Sequence, residues 1–392
     1  MRIGTAAIAA ILGACGYGAS FDDCTILCSE DTGCPTGLRC GDEGLCRRSD
    51  QSSCNGPACN SAIDLGPITA LAPFMGTTRV AATATPAGLV VTYITAAGLT
   101  AVTVDLPPEI VWREGDAPTS HGPETSIASN FATNVHGVAL TDRLVFAGVP
   151  EIGVGTAIAI VDLQLAQLVA SRVEPDVVAN SPENSTASDD DRVIIVGATG
   201  NTAQIVKLDR DGAKLFGSSY TLANAFSGSV AALGGDRYIG GWYTSTAACI
   251  VRVFDGALAT TAMLDLAETC ERLRVASNGP RIGLAWITGA GIQAMTGDPA
   301  LSAMTPVVNL MATRGSPRIT STTDGFWVLS ADSSGLRVGL LTLTGDVGAT
   351  MSLSPYDGSL FPYDVVTARG VAYAVWASPA ASPHLYLERL CR

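Results

Sequence analysis

The chain has 392 residues, with 23 basic against 36 acidic side chains and a net charge of -13. That balance excludes a nucleic-acid binder, which needs a basic footprint. A composition 47% apolar and only 15% charged excludes disorder, because there is ample surface to bury. The 42 glycines and 20 prolines favour turns and strands over long helices, and eleven cysteines point to an oxidising compartment.

The N-terminus reads as an address. Met1-Arg2 precedes a short apolar run from Ile3 to Leu12, too short to span a bilayer, which takes about twenty residues. A positive start, an apolar core and small residues before a cut are the parts of an export signal, here residues 1–14. Leu12-Gly13-Ala14-Cys15 resembles the lipobox of bacterial lipoproteins. That resemblance implies a lipid on Cys15, a membrane partner through the anchor and, with Gly16 rather than Asp following, sorting to the outer membrane.

Seven cysteines follow closely: Cys24, Cys28, Cys34, Cys40, Cys46, Cys54 and Cys59. The run from Asp31 to Cys46, with Cys34-Pro35-Thr36-Gly37 at its centre, resembles the short Cys-rich modules of secreted proteins. Residues 15–60 cannot build a hydrophobic core, so disulfides must constrain them. A zinc site would need Cys-x2-Cys knuckles or histidine partners, and neither spacing occurs. The pairing within the module is open. Setting Cys15 aside leaves an even number of cysteines, three of them distant: Cys249, Cys270 and Cys391. If Cys249 pairs with Cys270, Cys391 must reach back to the N-terminal seven.

From about residue 75 one pattern recurs seven times. Tight turns introduce β-rich runs beginning at Gly88, Arg143, Arg192, Arg237, Arg281, Gly325 and Gly370, at spacings of 55, 49, 45, 44, 44 and 45 residues. One candidate strand precedes each run and two follow. Four short strands per period of about 45 residues is the arithmetic of a propeller blade. The expected fold is therefore all-β: a small disulfide-rich module, then a seven-bladed β-propeller over residues 61–392. The seventh repeat runs out one strand short at Cys391. An apolar stretch at 63–72 is predicted to supply that strand and close the ring, which removes an exposed edge. Cys249 is read as opening a third strand and Cys270 as ending the fourth, on one face of the ring.

Chemistry is sparse. His121, His136 and His384 stand at no metal-ligand spacing, and the first two are read as flanking a loop. No Gly-x-Ser-x-Gly elbow occurs, every cysteine is committed to a disulfide or a lipid, and no Gly-rich phosphate loop opens a helix. No catalytic residue, metal or cofactor is therefore assigned. Ser330-Ala331-Asp332 is close to a sialidase turn but sits in the wrong hairpin. Leu208 to Phe216, with Asp209-Arg210-Asp211-Gly212, resembles the strand–turn–strand of quinoprotein-type propeller repeats, a group that includes an outer-membrane barrel-assembly lipoprotein. The same Asp-x-Asp-Gly reads as a calcium turn or, more simply, as a plain β-turn.

Arg143, Arg192, Arg237 and Arg281 recur after the turns, either as an anion-binding ring or as neighbours of their own turn acids. Trp242, Trp286, Trp327 and Trp376 fall where blades should pack on one another. Two longer connections, Glu114 to His136 and Glu174 to Asp191, are candidate partner-facing loops. The functional expectation is an envelope-anchored binding or scaffold protein with a protein or glycan partner. The alternatives are a propeller hydrolase or lyase acting on extracellular polymers, and an envelope assembly factor. Two or three carboxylates at the central channel would favour the enzyme; small neutral residues there would favour binding.

Overall fold

The computed structural model describes residues 28, 33–40, 46–48, 61–72, 80–107, 117–152, 154–175, 185–189, 191–266, 269–333, 335–356, 363–378 and 382–391. The signal at 1–14 and Cys15, Cys24, Cys54 and Cys59 lie outside them. The chain divides into two units, residues 1–56 and 57–392.

In the first unit, Leu38–Cys40 and Cys46–Arg48 pair antiparallel, with Cys40 opposite Cys46. The turn before them closes through the Leu38 N–H and the Pro35 carbonyl, and it needs the positive φ of Gly37 (94°). Two disulfides hold the hairpin, Cys28–Cys40 and Cys34–Cys46. The sulfurs of Cys28, Cys34 and Cys40 lie within 4.8 Å of one another, but each is consumed by those bonds.

The second unit is a seven-bladed β-propeller. Seven four-stranded antiparallel sheets follow one another, and the second strand of each is one of the seven repeated runs. The first strands are Val80–Ala84, Phe131–Ala139, Ser185–Asp189, Ala225–Ala232, Glu271–Ser277, Arg318–Ser321 and Tyr363–Ala368. Each packs beside the first strand of the next blade, and the last packs beside the first, so these seven strands form the wall of a central channel.

Burial follows strand position. The second strands Gly88–Thr95, Tyr238–Thr244 and Ile282–Thr288 are buried at every residue, because blades cover both of their faces. The outermost strands Leu168–Glu174 and Thr260–Leu266 alternate between exposed and half-buried. The core is accordingly divided into seven apolar clusters, one in each gap between adjacent blades. The four tryptophans belong to these gaps. Trp242, 1% exposed on the second strand of blade 4, donates Nε1–H to the Gly197 carbonyl of blade 3 at 3.0 Å.

Ring closure uses a strand from each end of the chain. Ile63–Pro67 pairs with His384–Leu390 and becomes the outermost strand of blade 7. The strand is shorter than the 63–72 stretch: it stops at Pro67, and Leu71 instead makes an isolated bridge to Thr95 of blade 1. One further backbone bond, from the Ile68 N–H to the Pro383 carbonyl at 2.8 Å, follows before the chain reaches blade 1.

Two sequence expectations need correction. Cys270 does not end the fourth strand of blade 4, which stops at Leu266; it lies just before Glu271, where blade 5 begins. Its disulfide to Cys249 therefore clips the start of a third strand to the crossover between blades. The span Glu114 to His136 is not one loop, since it holds the strand Thr125–Ala128 and the start of Phe131–Ala139. The extra residues of blade 1 lie between its third and fourth strands, at 106–124, whereas those of the second span lie in the crossover at 175–184. Because the strands alternate in direction, a third-to-fourth hairpin and a fourth-to-first crossover emerge on opposite faces of the ring.

Candidate functional site

The channel is where side chains from all seven blades converge. A cavity of about 160 Å³ is lined there by residues of every first strand, among them Ala82, His136, Thr186, Ser229, Arg274, Arg318 and Asp364. Gly137, Val230, Val275, Ile319 and Val365 complete the lining. The seven positions are separated by 54, 50, 43, 45, 44 and 46 residues, the same rhythm as the repeat itself. His136 is thus a strand residue facing the channel, not a loop neighbour, and His121 and His384 lie elsewhere.

Arg274 is 4% exposed and fixed by its surroundings. Its Nε donates to the Pro317 carbonyl at 3.1 Å, and Nη1 to the carbonyls of Gly228 (2.9 Å) and Leu273 (3.3 Å). These acceptors belong to the neighbouring channel wall, so the guanidinium spans three blades. Arg318 is also 4% exposed. Asp364 accepts from the Ala82 N–H at 2.9 Å and from its neighbour Val365 N–H at 2.9 Å. Burial pushes its carboxyl above the usual carboxylate range, against the opposing pull of Arg318, those two backbone donors and Arg274. The part of Asp364 that stays accessible fronts the cavity. Ser229 accepts from the Val275 N–H, joining blades 4 and 5 at 2.5 Å.

The channel matches neither simple expectation. Among the described residues it presents one carboxylate, not two or three, and the small neutral residues Ala82, Thr186 and Ser229 cover only one side. Sequence reasoning missed Arg274, Arg318 and Asp364. Their signal in the sequence is weak: the seven first-strand residues lie between six and eight residues before the starts of the second-strand runs, a spacing that bulges in the first strands make irregular.

The recurrent arginines stand at the hairpins between first and second strands, and two of them, Arg143 and Arg192, form ion pairs with acids. Arg143 bonds Asp142 (3.0 Å) and Asp211 (2.6 Å), and Arg192 bonds Asp236 (2.8 Å). Arg281 helps to hold the Asp298 carboxyl below its usual range, after the Ser302 hydroxyl and the Ala303 N–H. Beside them Lys207, 1% exposed, donates to Asp236 (2.5 Å) and to the Gly256 carbonyl (2.8 Å). Asp236 is lowered to about 2: its burial is outweighed by the hydrogen bonds of Lys207, Tyr238 and Arg192. Around Arg143, Arg192 and Lys207 this is a structural ion-pair network.

The Asp209 turn is a plain hairpin turn. Its Oδ1 accepts the N–H groups of Asp211 (3.0 Å) and Ala213 (2.7 Å). Asp162 and Asp255 do the same in blades 2 and 4. The fourth residue of each turn is left-handed: Leu165 (φ 60°), Gly212 (79°) and Leu258 (61°).

Solved structures share this architecture. BamB from Moraxella catarrhalis aligns with a TM-score of 0.50 and 14% identity, over 84% of this chain and 97% of its own. The BP39L lectin from Burkholderia pseudomallei gives 0.56 and 14%, over 79% and 98%. The WD40 domain of Toxoplasma gondii coronin gives 0.52 and 10%, over 86% and 88%. These likenesses establish the fold alone. No family model matches the sequence, and no curated protein matches it.

Proposed function

We propose that this chain is an exported, lipid-anchored binding or scaffold protein, attached to the outer membrane through Cys15. Its propeller would engage a protein or glycan partner. The observation that carries the non-catalytic reading is the channel: among the described residues its lining holds one carboxylate, bonded by two backbone N–H groups, and no partner carboxylate for acid–base work on a polymer. The disulfides of both units support an oxidising compartment. The lipobox supports the anchor, and among the described residues no helix is long and apolar enough to cross a membrane. That one similar fold is named a lectin supports including glycans among the partners to be tested.

A role in envelope assembly is the second reading. It is favoured by the resemblance of the Asp209 turn to quinoprotein-type repeats and by the fold shared with BamB. Capture on the immobilised full chain, with envelope extracts in one arm and a glycan array in the other, tests both. Retention of a defined protein or glycan is the expected result, and turnover of a polymer without retention would overturn it. Cys15→Ser is expected to abolish acyl labelling and membrane fractionation; unchanged fractionation would sink the anchor.

A further inference from the structure

A cavity of about 640 Å³ lies on the face of the ring that carries the second-to-third hairpins and the crossovers between blades. It draws on three blades: the hairpins at Ala247, Gly289 and Ser333 and the crossovers at Thr269 and Arg314. Its walls are held in place from both sides. On one side the Cys249–Cys270 disulfide fixes the crossover into blade 5 against the blade 4 hairpin, and the Cys270 N–H donates to the Ala247 carbonyl at 2.7 Å. Two non-glycine residues of that wall, Ala247 (φ 58°) and Arg272 (φ 53°), sit in the left-handed region. Such backbone persists only where its surroundings over-determine it, and it clusters at ligand-binding and active sites. On the other side Gly315 approaches blade 6 so closely that a Cβ there would stand 1.6 Å from the Ala331 carbonyl oxygen. Beside it Arg314 donates its backbone N–H to Asp332 at 3.3 Å and its guanidinium to the Gly289 carbonyl. The concave surface is therefore pre-formed, which lowers the ordering cost of binding.

The polar groups of this cavity have both signs. Glu271 and Arg314 are exposed, Arg272 and Asp332 are half-buried, and no aromatic ring is among the described lining residues. An anion would meet Glu271 and Asp332, and a cation would meet Arg272 and Arg314, so like-charge contact disfavours both. A neutral hydroxyl suits either sign: it donates to a carboxylate and accepts from a guanidinium. A guanidinium has more N–H donors, and a carboxylate more lone pairs, than one partner uses, so both keep this capacity inside an ion pair. No spare charge is therefore required of any wall residue. The volume falls within the range of small-molecule sites, and Ala247, Ile287 and Ala331 supply apolar surface for the ring carbons of a sugar. We propose that the cavity shared by blades 4, 5 and 6 is a binding site for a neutral saccharide, with Arg314 donating to its hydroxyls and Glu271 accepting from them. This names a ligand class within the binding-module reading and rests on it.

The test is titration of the full, oxidised chain, read by calorimetry and saturation-transfer NMR. The probes are the methyl glycosides of glucose, galactose, mannose and N-acetylglucosamine, with glucuronate, glucosamine and the zwitterion glycylglycine as charged controls. Saturable binding of at least one neutral glycoside, tighter than every charged control, is expected. Arg314→Gln and Glu271→Gln should each weaken it by about fivefold or more, with an unchanged β-sheet circular dichroism spectrum. If Arg314→Gln does not fold, Glu271→Gln, at an exposed side chain, decides. Absence of binding by all the neutral glycosides overturns the proposal. So does tighter binding of a charged control, or native affinity in Glu271→Gln or in folded Arg314→Gln. A protein partner retained by the native chain, with no glycoside bound, would strike this site and leave the binding module standing.

Discussion

The backbone N–H of Ala82 donates to the carboxylate of Asp364 at 2.9 Å, across 282 residues of sequence. The bond joins the innermost strand of blade 1 to that of blade 7 and so closes the ring at its axis, where Ile63–Pro67 closes it at the rim. Asp364→Ala removes the acceptor of two backbone donors and the counter-charge of two buried arginines. It is expected to cost roughly 3–5 kcal/mol, with Asp364→Asn costing less because it keeps an acceptor. Denaturant unfolding of both variants measures this, and a loss under about 1 kcal/mol for Asp364→Ala would refute a closing role.

The Cys249–Cys270 bond ties residues 21 apart, both at 1% exposure or less, at the junction of blades 4 and 5. A loop of that length corresponds to about 3 kcal/mol of chain entropy removed from the unfolded state. The double substitution Cys249→Ala with Cys270→Ala should lower stability by that order. Thermal unfolding of oxidised native and variant chains, run side by side without reductant, reads the difference.

Cys391 is also disulfide-bonded. Cys28, Cys40, Cys34, Cys46, Cys249 and Cys270 are committed to one another, so its partner must be Cys15, Cys24, Cys54 or Cys59. The expected partner is Cys54 or Cys59, beside the closing strand in sequence. Non-reducing peptide mapping by mass spectrometry identifies the linked pair. A Cys15–Cys391 peptide would refute the anchor outright, because an acylated thioether sulfur cannot form a disulfide.

The fold was legible because its signal is periodic. The second strands are apolar at nearly every position, and seven such runs at near-constant spacing survive without any structural information. The channel was less legible for a physical reason. The charged channel residues come from three different first strands some 45 residues apart, so no local motif marks them; Arg274, Arg318 and Asp364 meet only because blades 5, 6 and 7 stand side by side. The turn repeat was masked differently. Leu165 and Leu258 occupy left-handed positions where glycine is the usual signal, and both are buried, so packing overrides the backbone preference. Lys207 gave no warning either: a lysine inside an apolar strand is visible, but its partner Asp236 lies 29 residues away in the next blade.

Glu388 makes stability depend on pH. It lies on the third strand of blade 7, opposite Ala374, with Tyr386 and Leu390 on its own face of that strand packing into the gap toward blade 6. Only 3% exposed, its carboxyl is pushed up by burial to about 7. A raised carboxyl means the folded chain holds a proton that the unfolded chain, titrating near 4.5, has already released. The penalty is therefore absent below pH 4.5, grows as pH rises through the window to 7, and is constant above it. Its full size is on the order of 2–3 kcal/mol. Glu388→Gln keeps the shape and removes the titration. Unfolding free energies measured from pH 4.5 to 8 should show the native chain losing stability relative to the variant across that window and running parallel above it. Parallel curves throughout would mean that the Glu388 carboxyl ionises without cost, and burial would not be what sets its affinity for the proton.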